Sequence, residues 1–250
     1  MTDTVFFILQ VRTSSTRLPG KMLMPFHEDK TIPEIIIERL MNNGISSKNI
    51  IVATTNNPKD DGLASLLAKK KCNIFRGEEY NVLKRFIDAA SLFNAKYFFR
   101  VCADNPFLNF EYIAEIIDKV EYQKTDYSSF YLDNTTPTIK THFGFFCEYT
   151  SLKTLKRVAS LTKSAKDIEH VTPFIYEHSD LFNIQKLQIP EMLKRNQWLR
   201  LTIDTYDDFV MAQTIFEKNQ DCENIANIIQ TAENSGYKGK MQKIIEQQTK

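Results

Sequence analysis

The sequence lacks paired cysteines, long apolar runs and an excess of charge of either sign. Its four cysteines, Cys72, Cys102, Cys147 and Cys222, lie far apart and form no Cys-x-x-Cys pair, which argues against a disulfide framework and against a common type of zinc site. No apolar run is long enough to span a membrane. Lysine plus arginine (32) nearly balances aspartate plus glutamate (31), so no strong field favours nucleic acid or an acidic membrane as a partner.

Targeting and common nucleotide-binding motifs are also missing. The first four residues contain no basic region followed by an apolar core, so we expect no signal peptide and a cytoplasmic location. The motifs GxxxxGK[ST] and GxGxxG are absent, and no internal repeat or linker divides the chain. With 42% hydrophobic and 25% charged residues, residues 1–250 have the composition of a single globular domain with a sizeable core.

Apolar runs alternate with helical spacing through the first half of the chain. Short bulky runs at 5–9, 50–53, 72–75 and 97–102 predict strands, and amphipathic stretches between them predict helices. Such alternation is typical of parallel βαβ units. We therefore predict a three-layer α/β fold with a mixed, mostly parallel sheet.

The second half of the chain is less regular. Residues 126–132 and 139–147 predict two strands joined by a Thr-Thr-Pro turn, so we expect an antiparallel section around 126–190. A helix is predicted over 164–178 despite an internal proline. Residues 219–250 are polar and rich in lysine and glutamine, which predicts surface helices and a fraying tail.

A basic, hydroxyl-rich loop follows the first predicted strand. The residues from Gln10 to Lys21, QVRTSSTRLPGK, contain three cations and four hydroxyls with a Pro-Gly turn. Guanidinium groups form paired contacts with phosphate oxygens, lysine adds a point charge, and hydroxyls and loop amides supply further donors. Because open α/β sheets bind ligands beside the carboxyl ends of their strands, the loop predicts a triphosphate site rather than a solvated turn.

Two aspartates are candidates for a metal site. Asp104 and Asp204 each follow a predicted strand, at 97–102 and 199–203. If both strands neighbour the first, the two carboxylates face the basic loop, and with phosphate oxygens they make the donor set that Mg²⁺ prefers. Each aspartate could instead be a turn or cap residue, although a Thr-Asp capping box already follows Asp204.

The sequence leaves the role of several other polar residues open: Arg100, Lys140, His142, Glu148, His170, Asp60 and Asp61. Arg100 either binds substrate or pairs with a carboxylate. Lys140, His142 and Glu148 flank the predicted hairpin strands and are candidate acceptor contacts. His170 suits a structural position in a helix. Asp60 and Asp61 suit an ordinary helix start, although they could also contact a ligand.

The loop from Gln10 to Lys21 resembles the CTP-binding loop of bacterial cytidylyltransferases, whose pattern is roughly Q-x-R-x-x-S-T-R-L-P-G-K. The likeness is closest to the branch of spore-coat polysaccharide biosynthesis proteins. Five further stretches of that branch recur in order: VATTNNPKDD (52–61), FRGEEYNVLKRF (75–86), RVCADNPFLN (100–109), EHVTPFIY (169–176) and LRLTIDTYDDF (199–209). The related KDO and sialic acid cytidylyltransferases share mainly the first loop and the two acidic positions.

The resemblance implies a Rossmann-like fold of the nucleotide-diphosphosugar-transferase type, often a homodimer. The implied reaction is Mg²⁺-dependent transfer of CMP from CTP to a sugar, sugar acid or sugar or polyol phosphate, releasing pyrophosphate, for cell-surface glycan synthesis. The implied nucleotide contacts are Gln10, Arg12, Ser15, Arg17 and Lys21, with Thr54, Thr55 and Gly77 near the base and ribose. Lys21, Arg12, Arg17 and Asp104 are implied as catalytic, and Asp104 and Asp204 as Mg²⁺ ligands.

Two departures from the branch leave the acceptor open. Asn105 stands where the branch usually has cysteine, and residues 145–148 replace a less apolar Gly-x-x-x-Glu segment. The aromatic run of Phe143, Phe145 and Phe146 is expected at an acceptor pocket or a dimer contact. Alternative functions are a nucleotidyltransferase using another nucleotide, a glycosyltransferase, or a catalytically inactive binding protein. The lack of a mid-chain Asp-x-Asp counts against the glycosyltransferase, and the presence of the loop cations and both aspartates counts against the inactive protein.

Overall fold

The computed structural model describes residues 5–247; residues 1–4, on which the signal-peptide argument rests, and residues 248–250 of the predicted tail lie outside the described residues. The strands are Val5–Gln10 (β1), Pro25–His27 (β2), Lys30–Thr31 (β3), Ile50–Thr55 (β4), Asn73–Gly77 (β5), Tyr97–Cys102 (β6), Tyr127–Tyr131 (β7), Glu148–Ser151 (β8) and Ile184–Gln188 (β9). The helices are Ile32–Asn42 (α1), Asp61–Ala68 (α2), Val82–Leu92 (α3), Phe110–Lys119 (α4), Leu152–Leu161 (α5), Ala165–His170 (α6), Pro173–Glu177 (α7), Glu191–Arg195 (α8), Tyr206–Glu217 (α9), Ile225–Asn234 (α10) and Lys238–Gln247 (α11).

A seven-stranded sheet runs through the described residues in the order β5-β4-β1-β6-β8-β7-β9. The pairs β4–β5, β1–β4, β1–β6 and β7–β9 are parallel. Strand β8 runs antiparallel to both of its neighbours, β6 and β7. The prediction of a mixed, mostly parallel sheet is therefore confirmed. Strands β2 and β3 form a separate antiparallel pair that the sequence pattern did not predict.

Helices cover both faces of this sheet. On β1, Phe7 and Leu9 belong to one hydrophobic core, which includes residues of α1, α4 and α9. Ile8 belongs to the core on the opposite face, which includes residues of α3 and α5. Successive side chains of a strand point to opposite faces, so the buried residues from Phe7 to Leu9 must be apolar on both sides of the sheet. The predicted three-layer arrangement is confirmed.

The central position of β1 determines where a ligand can approach. The register places Gln10, at the end of β1, opposite Ala53 of β4 and Cys102 of β6. The connection from β1 to β4 runs through α1 on one face of the sheet, and the connection from β5 to β6 runs through α3 on the other face. The two connections therefore diverge beside β1. The crevice outside the carboxyl ends of β1 and β6 is therefore the expected binding position in such a sheet.

Two predicted strands, at 139–147 and 199–203, are wrong. The antiparallel partner of β7 is β8, which begins only at Glu148. The two segments instead run as buried irregular chain and bond to each other: the N–H groups of Leu201 and Thr202 donate to the carbonyl of His142 at 2.8 and 3.2 Å. Both segments are rich in buried apolar residues, and burial alone does not require a strand.

The helical predictions for the second half are correct in part. The predicted helix over 164–178 is divided into α6 and α7 by Val171, whose φ is 73°, directly before the Thr172-Pro173 start of α7. Helices α10 and α11 exist, but they are more than a surface tail because Ile228 and Met241 are fully buried in the core. Within residues 5–247, no helix has the length and apolarity needed to cross a membrane.

Candidate active site

A cavity of about 270 Å³ lies at the carboxyl ends of β1 and β6. The basic loop contributes Gln10, Arg12, Ser15, Arg17 and Lys21 to its lining. The chain after β6 contributes Asp104, and Asp204 enters from the segment before α9. The structure therefore brings the triphosphate-binding residues that the resemblance implied together with both candidate metal ligands, although Asp204 follows irregular chain and not the strand that the sequence predicted.

Asp60 fixes the start of the basic loop. One of its carboxylate oxygens accepts hydrogen bonds from the backbone N–H of Thr13 (2.8 Å) and from its hydroxyl (2.6 Å). The other accepts from the hydroxyls of Thr54 (3.1 Å) and Thr55 (2.5 Å), which ties the loop to the end of β4. Burial would raise the pKa of Asp60, but these hydrogen bonds outweigh it and hold the pKa below its usual value. This anchoring role differs from the helix-start position and the possible ligand contact that the sequence indicated for Asp60.

The loop closes through a tight turn at Gly20. The N–H groups of Ser15 and Gly20 both donate to the carbonyl of Thr13, at 2.8 and 3.2 Å. Gly20 has φ 74° and ψ 4°, in the left-handed region, and a short 3₁₀ turn starts at Lys21. A Cβ atom at Gly20 would meet nothing within 4 Å, so the backbone conformation, and not lack of space, favours glycine here.

Lys21 lies between the two candidate metal ligands. Its side chain is buried, and Nζ donates to the carbonyl of Ile203, next to Asp204, at 2.5 Å. The same nitrogen lies 3.9 Å from Oδ2 of Asp104, whose side chain is about one-third exposed. The ammonium group is thus held in one place at the edge of the cavity, where it can meet a phosphate oxygen.

Asp204 is held by two arginines. Arg17 donates from Nη2 to Oδ1 at 2.6 Å, and Arg200 donates from Nη2 to Oδ2 at 2.9 Å. Arg200 is fully buried and also binds both carboxylate oxygens of Asp208, at 2.7 and 2.9 Å, while its Nη1 contacts Nδ1 of His142. Burial would lower the pKa of Arg200, but the two carboxylates raise it above its usual value. His142, a candidate acceptor contact, is thus a buried partner of this arginine.

Arg200 was missed by sequence reasoning, although a signal was available. It interrupts the apolar run from Leu199 to Ile203, four residues before Asp204 and eight before Asp208. A charged residue within a buried run requires a partner of opposite charge. Asp204, Asp207 and Asp208, which follow within eight positions, were the nearest candidates.

Arg100 pairs with a carboxylate and also lines the cavity, so its binding to substrate stays a prediction. The sheet register places it directly opposite Glu148 on β8, and its Nη1 donates to Oε2 of Glu148 at 2.5 Å. Its Nε and Nη2 both donate to Oε1 of Gln10, at 3.1 and 3.0 Å. The amide group of Gln10 is therefore oriented by a buried ion pair, and Glu148 supports the cavity from behind instead of lining it.

Several candidates lie outside the cavity. Thr54 and Thr55 are fully buried on Asp60, and Gly77 packs so closely that a Cβ would come within 2.8 Å of Phe75 Cε1. Their assignment to base and ribose binding stays a prediction. Lys140 lies 3.6 Å from Glu177 in an exposed ion pair. The aromatic run of Phe143, Phe145 and Phe146 is buried, so it belongs to the core and offers no surface for a dimer contact.

A further acid that sequence reasoning did not single out links the basic loop to the loop after β5. Glu79 accepts from the hydroxyl of Ser14 at 2.6 Å and from Nδ2 of Asn57 at 2.8 Å. Its pKa is lowered by the bond from Ser14 first and by that from Asn57 second. The buried guanidinium of Arg85 donates to the carbonyls of residues 78 and 79, so the loop that faces Ser14 is held from below.

The donor set suits a metal that is bound together with a phosphate ligand. Within residues 5–247, no cluster of three or more histidine, cysteine or acidic side chains is placed to hold a metal by itself. Asp104 and Asp204 nevertheless line the same cavity as the loop cations. Mg²⁺ is commonly held by one or two carboxylates with substrate phosphates and water, so these residues fit Mg²⁺ that binds with a nucleotide.

Comparison with known proteins gives the family. The cytidylyltransferase family model matches residues 6–248. The chain is 36% identical over 202 residues to an uncharacterized protein of Methanocaldococcus jannaschii, covering 81% of this chain and 79% of that protein. It is 31% identical over 219 residues to the spore coat polysaccharide biosynthesis protein SpsF of Bacillus subtilis, covering 86% of this chain and 88% of that protein.

A solved structure supports the same conclusion at the level of the fold. A cytidylyltransferase from Leptospira borgpetersenii superposes with a TM-score of 0.81 at 24% identity, covering 99% of this chain and 98% of that chain. The family match extends over nearly all of the described residues, including every residue that lines the cavity. The chain belongs to the cytidylyltransferase family and is a nucleotidyltransferase.

Proposed function

We propose that the protein transfers CMP from CTP to a sugar, sugar acid or sugar or polyol phosphate and releases pyrophosphate, with Mg²⁺ bound at Asp104 and Asp204. One observation carries the proposal: the cations of the basic loop and the two aspartates line a single cavity at the end of β1. Cations and carboxylates together suit a metal-bound triphosphate, whereas either set alone would suit a simpler ligand.

The three loop cations offer the triphosphate different contacts. Arg12 lines the cavity and forms no hydrogen bond or ion pair with any other described residue, so its guanidinium is available to phosphate. Arg17 has a half-exposed side chain, which can turn from Asp204 to a phosphate oxygen. Lys21 is already fixed by the carbonyl of Ile203 and adds a positioned point charge. Together they hold the reacting phosphate in place, which is the main protein contribution to phosphoryl-type transfer.

The two aspartates would hold the metal, and the metal would neutralise charge on the phosphates. Bound Mg²⁺ supplies neutralisation of the charge that develops on the α-phosphate and the leaving pyrophosphate. Asp204 is oriented by the buried Arg200, and Asp104 follows β6 by two residues, with its carboxylate 3.9 Å from the Nζ of Lys21. The name of the Bacillus subtilis relative supports a role in making precursors of cell-surface polysaccharide.

Thermal unfolding with CTP, UTP, GTP or ATP, each with and without Mg²⁺, tests the nucleotide half of this proposal. A ligand at about 100 times its Kd adds about 2.7 kcal/mol, which raises Tm by roughly 5–10 °C for a chain of this size. We expect the shift with CTP and Mg²⁺ only. A shift specific to another base would overturn the choice of CTP. No shift with any of the four would favour an inactive relative of the family.

A further inference from the structure

A second, smaller cavity adjoins the proposed nucleotide site. It has a volume of about 90 Å³ and shares Cys102 and Asp104 with the larger cavity. Ile139 and Phe146 provide apolar wall, and Asn105 and Thr202 provide polar wall. Because Asp104 belongs to both cavities, a molecule in the smaller one lies beside the metal position and next to the reacting phosphate.

Two polar atoms of this wall have no hydrogen-bond partner among the described residues. They are Oδ1 of Asn105 and Oγ1 of Thr202. Each of the two residues exposes only 7% of its surface, so both side chains are more than nine-tenths buried. Buried polar groups are nearly always hydrogen-bonded, and two unpaired groups in one cavity point to a ligand that completes them.

The charge of the wall restricts what this ligand can be. Asp104 is the charged residue of the lining, and no lysine or arginine of the described chain contributes to it. A phosphate or carboxylate in the small cavity would therefore find no lysine or arginine to pair with, and the Mg²⁺ proposed at Asp104 would already be shared with the triphosphate. A hydroxyl group, in contrast, can donate to Asn105 and can either donate to or accept from Thr202.

The size of the cavity restricts the ligand further. A volume of 90 Å³ is smaller than the roughly 150 Å³ of a protein cavity that holds one benzene ring. One or two hydroxylated carbons fit in such a space, but a complete sugar ring does not. The apolar wall of Ile139 and Phe146 suits the C–H groups of the same carbons.

We propose that the small cavity binds the uncharged, hydroxylated end of the acceptor, and that Asn105 and Thr202 determine this specificity. The inference rests on the proposed function, because the ligand is taken to be the acceptor of the nucleotidyl group. The acceptor class is a sugar or polyol with free hydroxyls at the end that enters. Any phosphate or carboxylate of the acceptor lies in the larger cavity, where the loop cations can bind it.

Three probes with equal carbon chains test the proposal: ribitol 5-phosphate, pentyl phosphate, which lacks the hydroxyls, and ribonate 5-phosphate, which ends in a carboxylate. Their Kd values are measured by ligand-observed NMR with Mg²⁺ and a non-hydrolysable CTP analogue present. We expect ribitol 5-phosphate to bind about tenfold tighter than either of the others, as the loss of one net hydrogen bond would give. Equal binding of the three, tighter binding of ribonate 5-phosphate, or no binding of any would overturn the proposal.

Matched variants show whether Asn105 and Thr202 cause this preference. Thr202→Val keeps the shape and removes the hydroxyl, and Asn105→Leu removes the acceptor oxygen; both should abolish the preference. Asn105→Asp keeps an acceptor oxygen and should retain the preference for ribitol 5-phosphate over pentyl phosphate. An unchanged preference in Thr202→Val and Asn105→Leu would contradict the assignment. The Tm shift with CTP and Mg²⁺ is first measured for the wild type and for each variant. If the wild type shows no shift, the proposed function is contradicted. If the wild type shows the shift but no preference for the hydroxylated probe, only this inference is contradicted.

Discussion

Arg17 donates to Asp204 across 187 positions of the sequence, at a distance of 2.6 Å. On the other side of the same carboxylate, Arg200 binds at 2.9 Å. The Arg17 side chain is 52% exposed and that of Arg200 is fully buried, so the two ion pairs differ in strength and in purpose. Exposed pairs contribute little to folding, whereas a buried charge that loses its partner is costly. We infer that Arg17 can leave Asp204 to bind the ligand, whereas Arg200 stabilises the folded chain.

Substituting these two arginines separately should therefore give opposite results. Arg17→Gln should change the unfolding free energy by less than about 1 kcal/mol while reducing the Tm shift with CTP and Mg²⁺. Arg200→Met leaves Asp204 and Asp208 without their buried partner and should lower the unfolding free energy by about 3–5 kcal/mol. Denaturant titration with and without nucleotide measures both effects. Equal losses of stability in the two variants would contradict the division of roles.

Lys21→Met should affect both function and stability, and the two effects are separable. The variant loses the positioned charge, so turnover should fall by about 10²–10³-fold, as for other single donors to a reacting phosphate or oxyanion. It also leaves the carbonyl of Ile203 without a donor, which should cost about 1–3 kcal/mol of stability. Lys84→Met, at an exposed lysine of α3, is the matched control. A Lys21→Met enzyme with turnover within twofold of the wild type would remove the catalytic role.

Asp104→Asn should reduce turnover without a comparable loss of stability. Its side chain is partly exposed, and the Nζ of Lys21 at 3.9 Å is its ion-pair partner among the described residues. The substitution removes one of the two proposed metal ligands, so the Mg²⁺ concentration for half-maximal CTP-dependent Tm shift should rise at least tenfold. Pyrophosphate release measures the turnover. An unchanged Mg²⁺ dependence would argue that Asp104 does not bind the metal.

The hydrogen bonds that the Asp60 carboxylate accepts should make the free energy of unfolding depend on pH in the acid range. Its pKa is lower in the folded chain than the usual 3.8, so its contribution is fully present above pH 3.8 and is lost as the pH falls through the lower folded pKa. Asp60→Asn should be less stable than the wild type at pH 7, because the hydroxyls of Thr13 and Thr55 lose a charged acceptor. The difference between the two proteins should shrink as the pH falls below 3.8. A constant difference between pH 7 and pH 2.5 would contradict the role of the charged carboxylate.

Much of the site could be predicted because its residues lie next to strands that are strongly patterned. The basic loop follows β1 and Asp104 follows β6, and adjacent parallel strands end at the same edge of the sheet. The roles of these residues in catalysis stay predictions, as do the homodimer, the Mg²⁺ dependence and the cytoplasmic location. The fold class was also accessible, since the alternation of strands and helices requires parallel units.

What could not be predicted depends on contacts between distant parts of the chain. The segment 199–203 has the composition of a strand, but it packs against residues 141–147 without entering the sheet. The choice of β8 as the partner of β7 is likewise decided by packing, not by local propensity. Asp60 has a sufficient local explanation as a helix-start residue, and nothing in the sequence near it indicates that Thr13 is its partner.

During synthesis on a ribosome, the basic loop is made long before the residues that complete it. Lys21 is held by the carbonyl of Ile203, 182 positions later, and at about 5–20 residues per second that segment takes roughly 10–40 s to translate. Until then a nascent chain contains β1 and the loop without Asp204 and without the carbonyl that positions Lys21. The emerging chain therefore passes most of its synthesis without a complete site, and the proposed nucleotide site is assembled only when the segment before α9 has left the ribosome.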